Sequence, residues 1–214
     1  ENPADKAITA ETTFIAKADQ KAEVTTDEVI PYLPDEKEPD KGSDGKDIPA
    51  DYITVTFKSE DEAKGTVKVG EKTGVEVKAK VKPGINLTGK ATATAKEGYG
   101  FTEWDPALGV AEAGKVYTAK FIKSGDEVGK NDPIPEGWFR VTVKQDATSI
   151  QEGTVAEKTY AVAPNDKLAA AKFPSLTDKE AEGYENPAWY VDDAKVENPA
   201  DKAITAETTF IAKA

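Results

Sequence analysis

The sequence contains no cysteine, methionine or histidine. Without cysteine the chain can form no disulfide, no thiolate metal site and no cysteine nucleophile. Without histidine it lacks the commonest general base and the commonest transition-metal ligand. These absences argue against an enzyme, and we expect no catalytic, cofactor-binding or metal-binding residues. A small secreted domain without disulfides is more typical of a bacterial surface protein than of an animal one, although a cytosolic protein would also lack them.

Basic residues are scarce relative to acidic ones. The 28 Lys and Arg residues against 40 Asp and Glu residues give a net charge of −12. This charge argues against a nucleic-acid partner and against an anionic membrane surface, because both require a basic footprint. The sequence also has no apolar run close to the roughly 20 residues that a membrane-spanning helix needs, and no signal peptide or sorting signal. We therefore expect it to belong to a longer chain that carries the targeting signals.

One 18-residue sequence occurs twice. Residues 1–18 and residues 197–214 both read ENPADKAITAETTFIAKA, at an offset of 196 residues (197 − 1). Chance does not produce such an identity, and a fixed period is typical of a tandem array. We predict that the chain holds one period of 196 residues plus an 18-residue overlap.

A weaker repeat lies inside the period and indicates two diverged copies of one small domain. The matching segments are 52–57 and 138–143, 98–104 and 183–189, and 117–121 and 210–214. From Trp104 to Phe121 is 17 residues, whereas from Trp189 to Ala214 is 25. The second copy therefore carries eight extra residues (25 − 17), which we place in the loop at 192–199.

Alternation of apolar and polar residues dominates both copies. It is clearest at 53–57, 75–81 and 139–143. This pattern is typical of strands with one buried and one solvated face. We predict a mainly β fold of small antiparallel sheets with at most one short helix per domain. The helix is placed after Asn165 or Asp166, which could cap a run through Leu168 and Ala171 before Pro174 ends it.

Proline and charge density set the predicted domain boundaries, because proline disfavours helix and strand pairing and favours extended, semi-rigid segments. The predicted units are a closing strand of the preceding repeat at 1–18, a linker rich in proline and charge at 19–50, a first repeat domain at 51–122, a second linker at 123–136 and a second repeat domain at 137–214.

Two tryptophans stand six residues after a glycine that begins a Gly-Tyr pair: Trp104 in GYGFTEW and Trp189 in GYENPAW. An exposed tryptophan often serves as a sugar platform, whereas a matched position in two diverged copies favours a core residue. We predict that both tryptophans are buried, together with Tyr99 and Tyr184. The ligand-binding interpretation remains the alternative.

A stretch of the first predicted linker has the spacing of a calcium loop at Asp40, Asp44 and Gly45. However, Gly42 stands at a ligand position and the bidentate glutamate at the twelfth position is missing, so a solvated linker is the preferred interpretation. The sequence leaves open an intramolecular Lys–Asn isopeptide bond.

The motif at 98–104 fits the pattern Gly-Tyr-x-Phe-x-x-Trp, and 117–121 fits a closing strand Thr-x-x-Ala-x-Phe more loosely. With these motifs the halves resemble the repeats of Gram-positive cell-wall-anchored surface proteins, in particular the listerial internalin B-repeat group, also called the Listeria–Bacteroides repeat. The second copy departs from the pattern at 186–187 and at Ala214. The resemblance spans about 150 residues. It implies a β-grasp-like domain with a role in stalks or adhesion, and it transfers no catalytic residue.

We therefore expect a structural repeat module of an extracellular bacterial protein, anchored to the cell wall by a region outside this segment. It would act as an elongated stalk that projects a terminal adhesin. Alternatively, the repeats themselves bind a host protein or glycan, or self-associate between cells. Neighbouring repeats of the same chain are the expected partners. Residues 1–18, as an unpaired copy of the strand at 197–214, are also expected to permit head-to-tail association.

Overall fold

A computed structural model describes residues 23–214 and shows a mainly β protein. In chain order its strands are β1 (Val29–Tyr32), β2 (Ile53–Ser59), β3 (Gly65–Val69), β4 (Lys72–Gly74), β5 (Glu76–Val81), β6 (Ala91–Ala95), β7 (Tyr99–Asp105), β8 (Val116–Lys123), β9 (Asp126–Val128), β10 (Phe139–Gln145), β11 (Lys158–Val162), β12 (Ala188–Val191), β13 (Ala194–Val196) and β14 (Thr208–Lys213). The helical residues within this range form two 3₁₀ turns, Ala170–Lys172 and Pro199–Asp201.

These strands form two large sheets and one small one. The first large sheet has the order β1-β5-β2-β8-β7 and lies in residues 23–123, which we call the first half. The second has the order β13-β12-β14-β10-β11-β9 and lies in residues 124–214, the second half. The small sheet, β4-β3-β6, belongs to the first half. Each large sheet is antiparallel except for one parallel pair, β2 with β8 and β10 with β14. The prediction of antiparallel sheets therefore missed a parallel pair in each half.

The strands of the two halves correspond in register. On β2 and β8, Phe57 lies opposite Tyr117, and on β10 and β14, Val143 lies opposite Phe210. Likewise, the ladder partner of Trp104 is Ala119, and that of Trp189 is Ala212. The structure thus confirms that 52–57 and 138–143, 117–121 and 210–214, and the two tryptophans occupy equivalent positions.

Burial follows the alternation that predicted the strands. On β5, Val77, Ala79 and Val81 are buried and the residues between them are half-exposed. Val75 was counted in the same run, but it precedes the strand and is exposed. Each half has its own apolar cluster. In the first half it includes Val55, Phe57, Val67, Val77, Leu87, Tyr117 and Phe121; in the second it includes Val141, Ile150, Tyr160, Leu168, Trp189, Ile204 and Phe210.

The predicted linker over 19–50 is wrong for its described part. Within it, β1 pairs with β5, and Tyr32 is buried. Pro31 is compatible with this strand because β1 lies at the edge of the sheet, where one side of the backbone needs no hydrogen-bond partner. The loop that follows is tied down by hydrogen bonds from Thr25 N to Asp47 O and from Tyr52 Oη to Asp27 O.

The predicted linker over 123–136 is also wrong in part. Residues 126–128 form β9, which pairs with β11 at the edge of the second sheet. Both boundaries at residues 50 and 136 therefore move, because short edge strands carry too few residues for alternation to reveal them. Residues 1–18, the predicted strand of a preceding repeat, lie outside the described residues.

The helix predicted after Asn165 is reduced to the 3₁₀ turn at Ala170–Lys172. The backbone at 165–166 bonds to another segment instead: Asn165 N donates to Ile204 O, and Ile204 N donates to Asp166 O. The eight extra residues of the second half do fall near 192–199. They build β13, which forms a hairpin with β12 through Asp192 and Asp193, both with positive φ.

Candidate functional site

The chain passes from the first sheet to the second through two residues. β8 ends at Lys123 and β9 begins at Asp126. Gly125 has a φ of +89°, a conformation that glycine adopts without steric cost and that allows this short turn. The turn is closed by the Asp126 carboxylate, which accepts a hydrogen bond from Lys123 N at 3.0 Å.

Backbone hydrogen bonds bind this turn to both halves. Ser124 N donates to Gly98 O of the first half at 2.9 Å, and the next residue, Gly125, donates its N–H to Ala161 O of the second half at 2.8 Å. The hydroxyl of Ser124 also accepts a bond from Ala163 N at 3.0 Å. Two adjacent residues are thus fixed to different sheets, which leaves little freedom at the turn.

Side-chain packing closes the junction on one side. Gly100 lies on β7 and is buried. A β-carbon at this position would lie 2.7 Å from Pro135 Cβ and 2.7 Å from Trp138 Cζ2. Pro135 is buried and Trp138 is half-buried. The missing side chain of Gly100 is therefore what allows these two residues to lie against the first sheet, and we call this contact the Gly100 junction.

The segment between β9 and Trp138 is held by one arginine. The guanidinium of Arg140 on β10 donates to the carbonyl oxygen of Gly129 at 3.0 Å and also to that of Asp132. Gly129 N in turn donates to the Asp132 carboxylate at 2.7 Å. These bonds brace the stretch that presents Pro135 to Gly100.

An ion pair joins the edge strand of the second sheet to its neighbour. Lys158 on β11 lies 2.7 Å from the carboxylate of Glu127 on β9. The hydrogen bond that the Lys158 ammonium group donates to the Glu127 carboxylate raises the pKa of Lys158. Both side chains are about half-exposed, so solvent screens the pair and its contribution to stability is small.

The predicted core aromatics have different environments. Trp189 is 7% exposed, as predicted, and packs edge-on against Phe173. Trp104 is only half-buried and packs against Phe57, so its predicted burial is correct only in part. Tyr184 is 42% exposed, and its prediction as a core residue is wrong.

Tyr99 is half-buried on β7, so the core prediction holds for it only in part. Tyr184 has no such support, because its strand begins only at Ala188. Of the two matched tyrosines, Tyr99 lies on a strand and Tyr184 does not.

The calcium-like stretch forms a closed turn. Gly45 N donates to Gly42 O, Gly42 N donates to Lys46 O, and the Asp44 carboxylate accepts a bond from Lys46 N. The Asp40 carboxylate lies beside Lys37. Within residues 23–214, no group of three acidic side chains is arranged to hold a metal ion.

A shallow cleft of about 570 Å³ lies beside Trp189, between the segments 174–180 and 195–197. One carboxylate oxygen of Glu180 is buried here, and it has no hydrogen-bond partner in the described part of the chain. The cleft is open to solvent, and its lining is mainly polar. No sequence pattern pointed to it.

The sequence interpretation also missed the Gly100 junction. The available signal was a difference between the copies: the first has Gly-Tyr-Gly-Phe and the second has Gly-Tyr-Glu-Asn. Such a difference acquires meaning only when the partner of Gly100 is known.

The comparisons found no family model, no curated protein and no solved structure that matches the chain. No helix in residues 23–214 has the length and apolar character needed to cross a membrane.

Proposed function

We propose that this protein is a structural repeat module in which each half is a β-grasp-like domain, and that its tandem copies form an elongated stalk. The observation that carries the proposal is the two-residue connection from β8 to β9, in which Ser124 N is bonded to the first half and Gly125 N to the second. A short connection bonded to both halves fixes the orientation of the second sheet relative to the first. A spacer requires such a fixed orientation in order to stay extended. The identical segments 1–18 and 197–214 add the repetition.

The location follows from the sequence rather than from the fold. We propose an extracellular protein anchored to the cell wall of a Gram-positive bacterium, with a terminal adhesin at the far end of the stalk. The resemblance of 98–104 to the internalin B-repeat motif supports this, as do the strong net acidity and the lack of cysteine. We propose no enzymatic role, because the chain has neither a histidine nor a cysteine for catalysis.

A second candidate function is binding of a host protein or glycan by the repeats themselves. The cleft beside Trp189 is the observation in its favour, since its size falls within the range of small-ligand sites. Against it, the tryptophan is buried and so offers no open face for a sugar. Among the described residues, the exposed large aromatic side chain is Tyr184, and its counterpart Tyr99 is half-buried. A binding surface shared by all repeats would require an exposed patch in both halves.

Self-association is the third arrangement that the repeats allow. Residues 1–18 have the sequence of the segment that contains β14, and β14 lies between β10 and β12 in the second sheet. A free copy of that segment is chemically suited to the same position in another molecule, which would give head-to-tail association.

The spacer function can be tested by measuring how far the array extends from a surface to which one end is attached. Arrays of one, two and four periods are attached to a surface through a single added C-terminal cysteine, which is unique because the chain has none. The height of an N-terminal tag above the surface is then measured by atomic force microscopy. A spacer gives equal increments for each added period. A height that does not change with copy number contradicts the proposal, and retention of a defined glycan or host protein by a single period would favour the second candidate.

A further inference from the structure

The two copies are not equivalent at the position of Gly100. The matched ladders of Trp104 with Ala119 and Trp189 with Ala212 set an offset of 85 residues (189 − 104) between β7 and β12. At this offset the counterpart of Gly100 is Glu185. Glu185 is exposed and precedes β12, which begins only at Ala188. In the first half, Pro135 and Trp138 pack against a glycine on a strand. At the equivalent position the second half has neither a strand nor a glycine.

The residue that would enter such a site is also different. The match of 52–57 with 138–143 makes Tyr52 the counterpart of Trp138. Tyr52 is 8% exposed and its hydroxyl donates to Asp27 O at 2.6 Å within its own half. Trp138 instead lies against Gly100 of the other half. The Tyr52 side chain is thus buried and hydrogen-bonded within its own half, so it is not available for contact with a preceding unit.

The connections differ in length as well. β8 and β9 are separated by two residues, Ser124 and Gly125. In a tandem array, the residue after Ala214 is the equivalent of Asp19, because 197–214 repeats 1–18. In the sequence, β14 and the next β1 are therefore separated by Ala214 and the ten residues 19–28, which is eleven residues in all (1 + 10), of which Thr25 and Asp27 are hydrogen-bonded within the first half of their own period.

From these three differences we infer that the array has two kinds of joint that alternate along its length. Inside each period the halves are fixed to each other by the Gly100 junction. Between periods the joint lacks that junction, because Glu185 replaces the glycine and Tyr52 is buried in its own half. The mechanical unit is then the 196-residue period, a stiff pair of domains, and bending is concentrated at every second joint. This inference rests on the proposed tandem array.

The alternation can be tested with distances between paired spin labels. Exposed Lys68 on β3 and Lys195 on β13 are replaced by cysteine, and the absence of native cysteine makes the labels specific. The first protein is the 214-residue chain with Lys68→Cys and Lys195→Cys, which reports the joint inside a period. The second is a 410-residue chain (214 + 196) that carries the Lys195 label in the first period and the Lys68 label in the second. The same two sites thus report both joints by pulsed electron resonance.

We expect a narrow distance distribution inside the period and a clearly broader one across the boundary. Gly100→Ala should remove the narrow distribution, whereas Gly109→Ala should preserve it, because a β-carbon on Gly109 has no neighbour within 4 Å. Trp138→Ala, which leaves the backbone unchanged, should also broaden the distribution inside the period. Equal widths for the two joints would overturn the alternation. That result would leave the spacer function intact, since that function is contradicted by a different result, a height independent of copy number in the surface experiment.

Discussion

The indole Cζ2 atom of Trp138 lies 2.7 Å from the point that a β-carbon on Gly100 would occupy. The two residues are 38 positions apart in the chain (138 − 100): Gly100 lies on β7 of the first sheet, and Trp138 directly precedes β10 of the second. Because Gly100 has no side chain, the edge of the Trp138 ring occupies the space that a side chain would fill. This packing between the halves distinguishes the joint from a simple linker between two globular units.

The first prediction concerns this contact. Gly100→Ala places a methyl group into Pro135 and Trp138, and the overpacking should lower the free energy of unfolding by about 1–3 kcal/mol. Gly109→Ala is the matched control because its β-carbon would have free space, and it should change stability by less than about 0.5 kcal/mol. Thermal unfolding followed by circular dichroism measures both. Equal stability of the two variants would show that the Gly100 junction does not contribute to the free energy of unfolding.

The second prediction ranks the two tryptophans. Trp189 is 7% exposed and contacts Phe173, so Trp189→Ala should cost about 3–5 kcal/mol. Trp104 is half-buried and retains solvent contact, so Trp104→Ala should cost less, about 2 kcal/mol. Urea unfolding of each variant provides the comparison. The order would be refuted by a larger loss at Trp104, which would mean that this ring is better covered in solution.

The third prediction uses the carboxylate of Glu60. Burial raises the pKa of this group, but the hydrogen bond from Phe121 N and the charges of Lys64 and Lys120 together lower it below 4.5. Phe121 N and Lys64 Nζ each lie 3.0 Å from it, and its side chain is 21% exposed. Because the folded pKa is depressed, the stabilisation is present above the unfolded pKa and is lost as the pH falls through the folded pKa.

Glu60→Gln should therefore be less stable than the wild type by about 1 kcal/mol near neutral pH, and the difference should vanish in acid, once the pH lies below the folded pKa of Glu60. The exposed neighbour Glu62→Gln serves as the control and should change stability by less than about 0.5 kcal/mol. Urea unfolding at a series of pH values measures the difference. A stability gap that stays constant from neutral to acid pH would exclude an electrostatic role for Glu60.

The fourth prediction concerns the duplicated segment. Removal of residues 1–18 should leave the unfolding of both halves unchanged, because the equivalent strand position is filled by β14. Any concentration-dependent oligomer should disappear in the same variant. Sedimentation velocity at several concentrations, together with thermal unfolding, tests both statements. If the deletion destabilises the first half, residues 1–18 are an integral part of that half and not a copy from a neighbouring repeat.

The positions of the central strands could be derived from the sequence because period-two alternation is a local signal. Val55 and Phe57 on β2 and Val141 and Val143 on β10 follow it. The matched placement of Trp104 and Trp189 in the two copies also corresponds to matching ladder partners, Ala119 and Ala212. These features depend on which side chains face the core, and that information lies within each strand.

The edge strands and the junction could not be derived in this way. β1 contains Pro31, and β9 has only three residues, so neither has the composition or the length of a recognisable strand. Their pairing is decided by β5 and β11, which lie far away in the sequence. The importance of Gly100 depends on Trp138, a contact between halves that no local pattern encodes. The same holds for Tyr184, whose exposure follows from the late start of β12.

The central claim is that the chain is an elongated spacer, and small-angle X-ray scattering tests it most directly. A compact globule of 214 residues would have a radius of gyration of about 17 Å. We predict a clearly larger value for this chain, and a maximum dimension that rises by a constant increment for each further period of 196 residues. A radius of gyration close to about 17 Å, or a maximum dimension that stops growing as periods are added, would contradict the account.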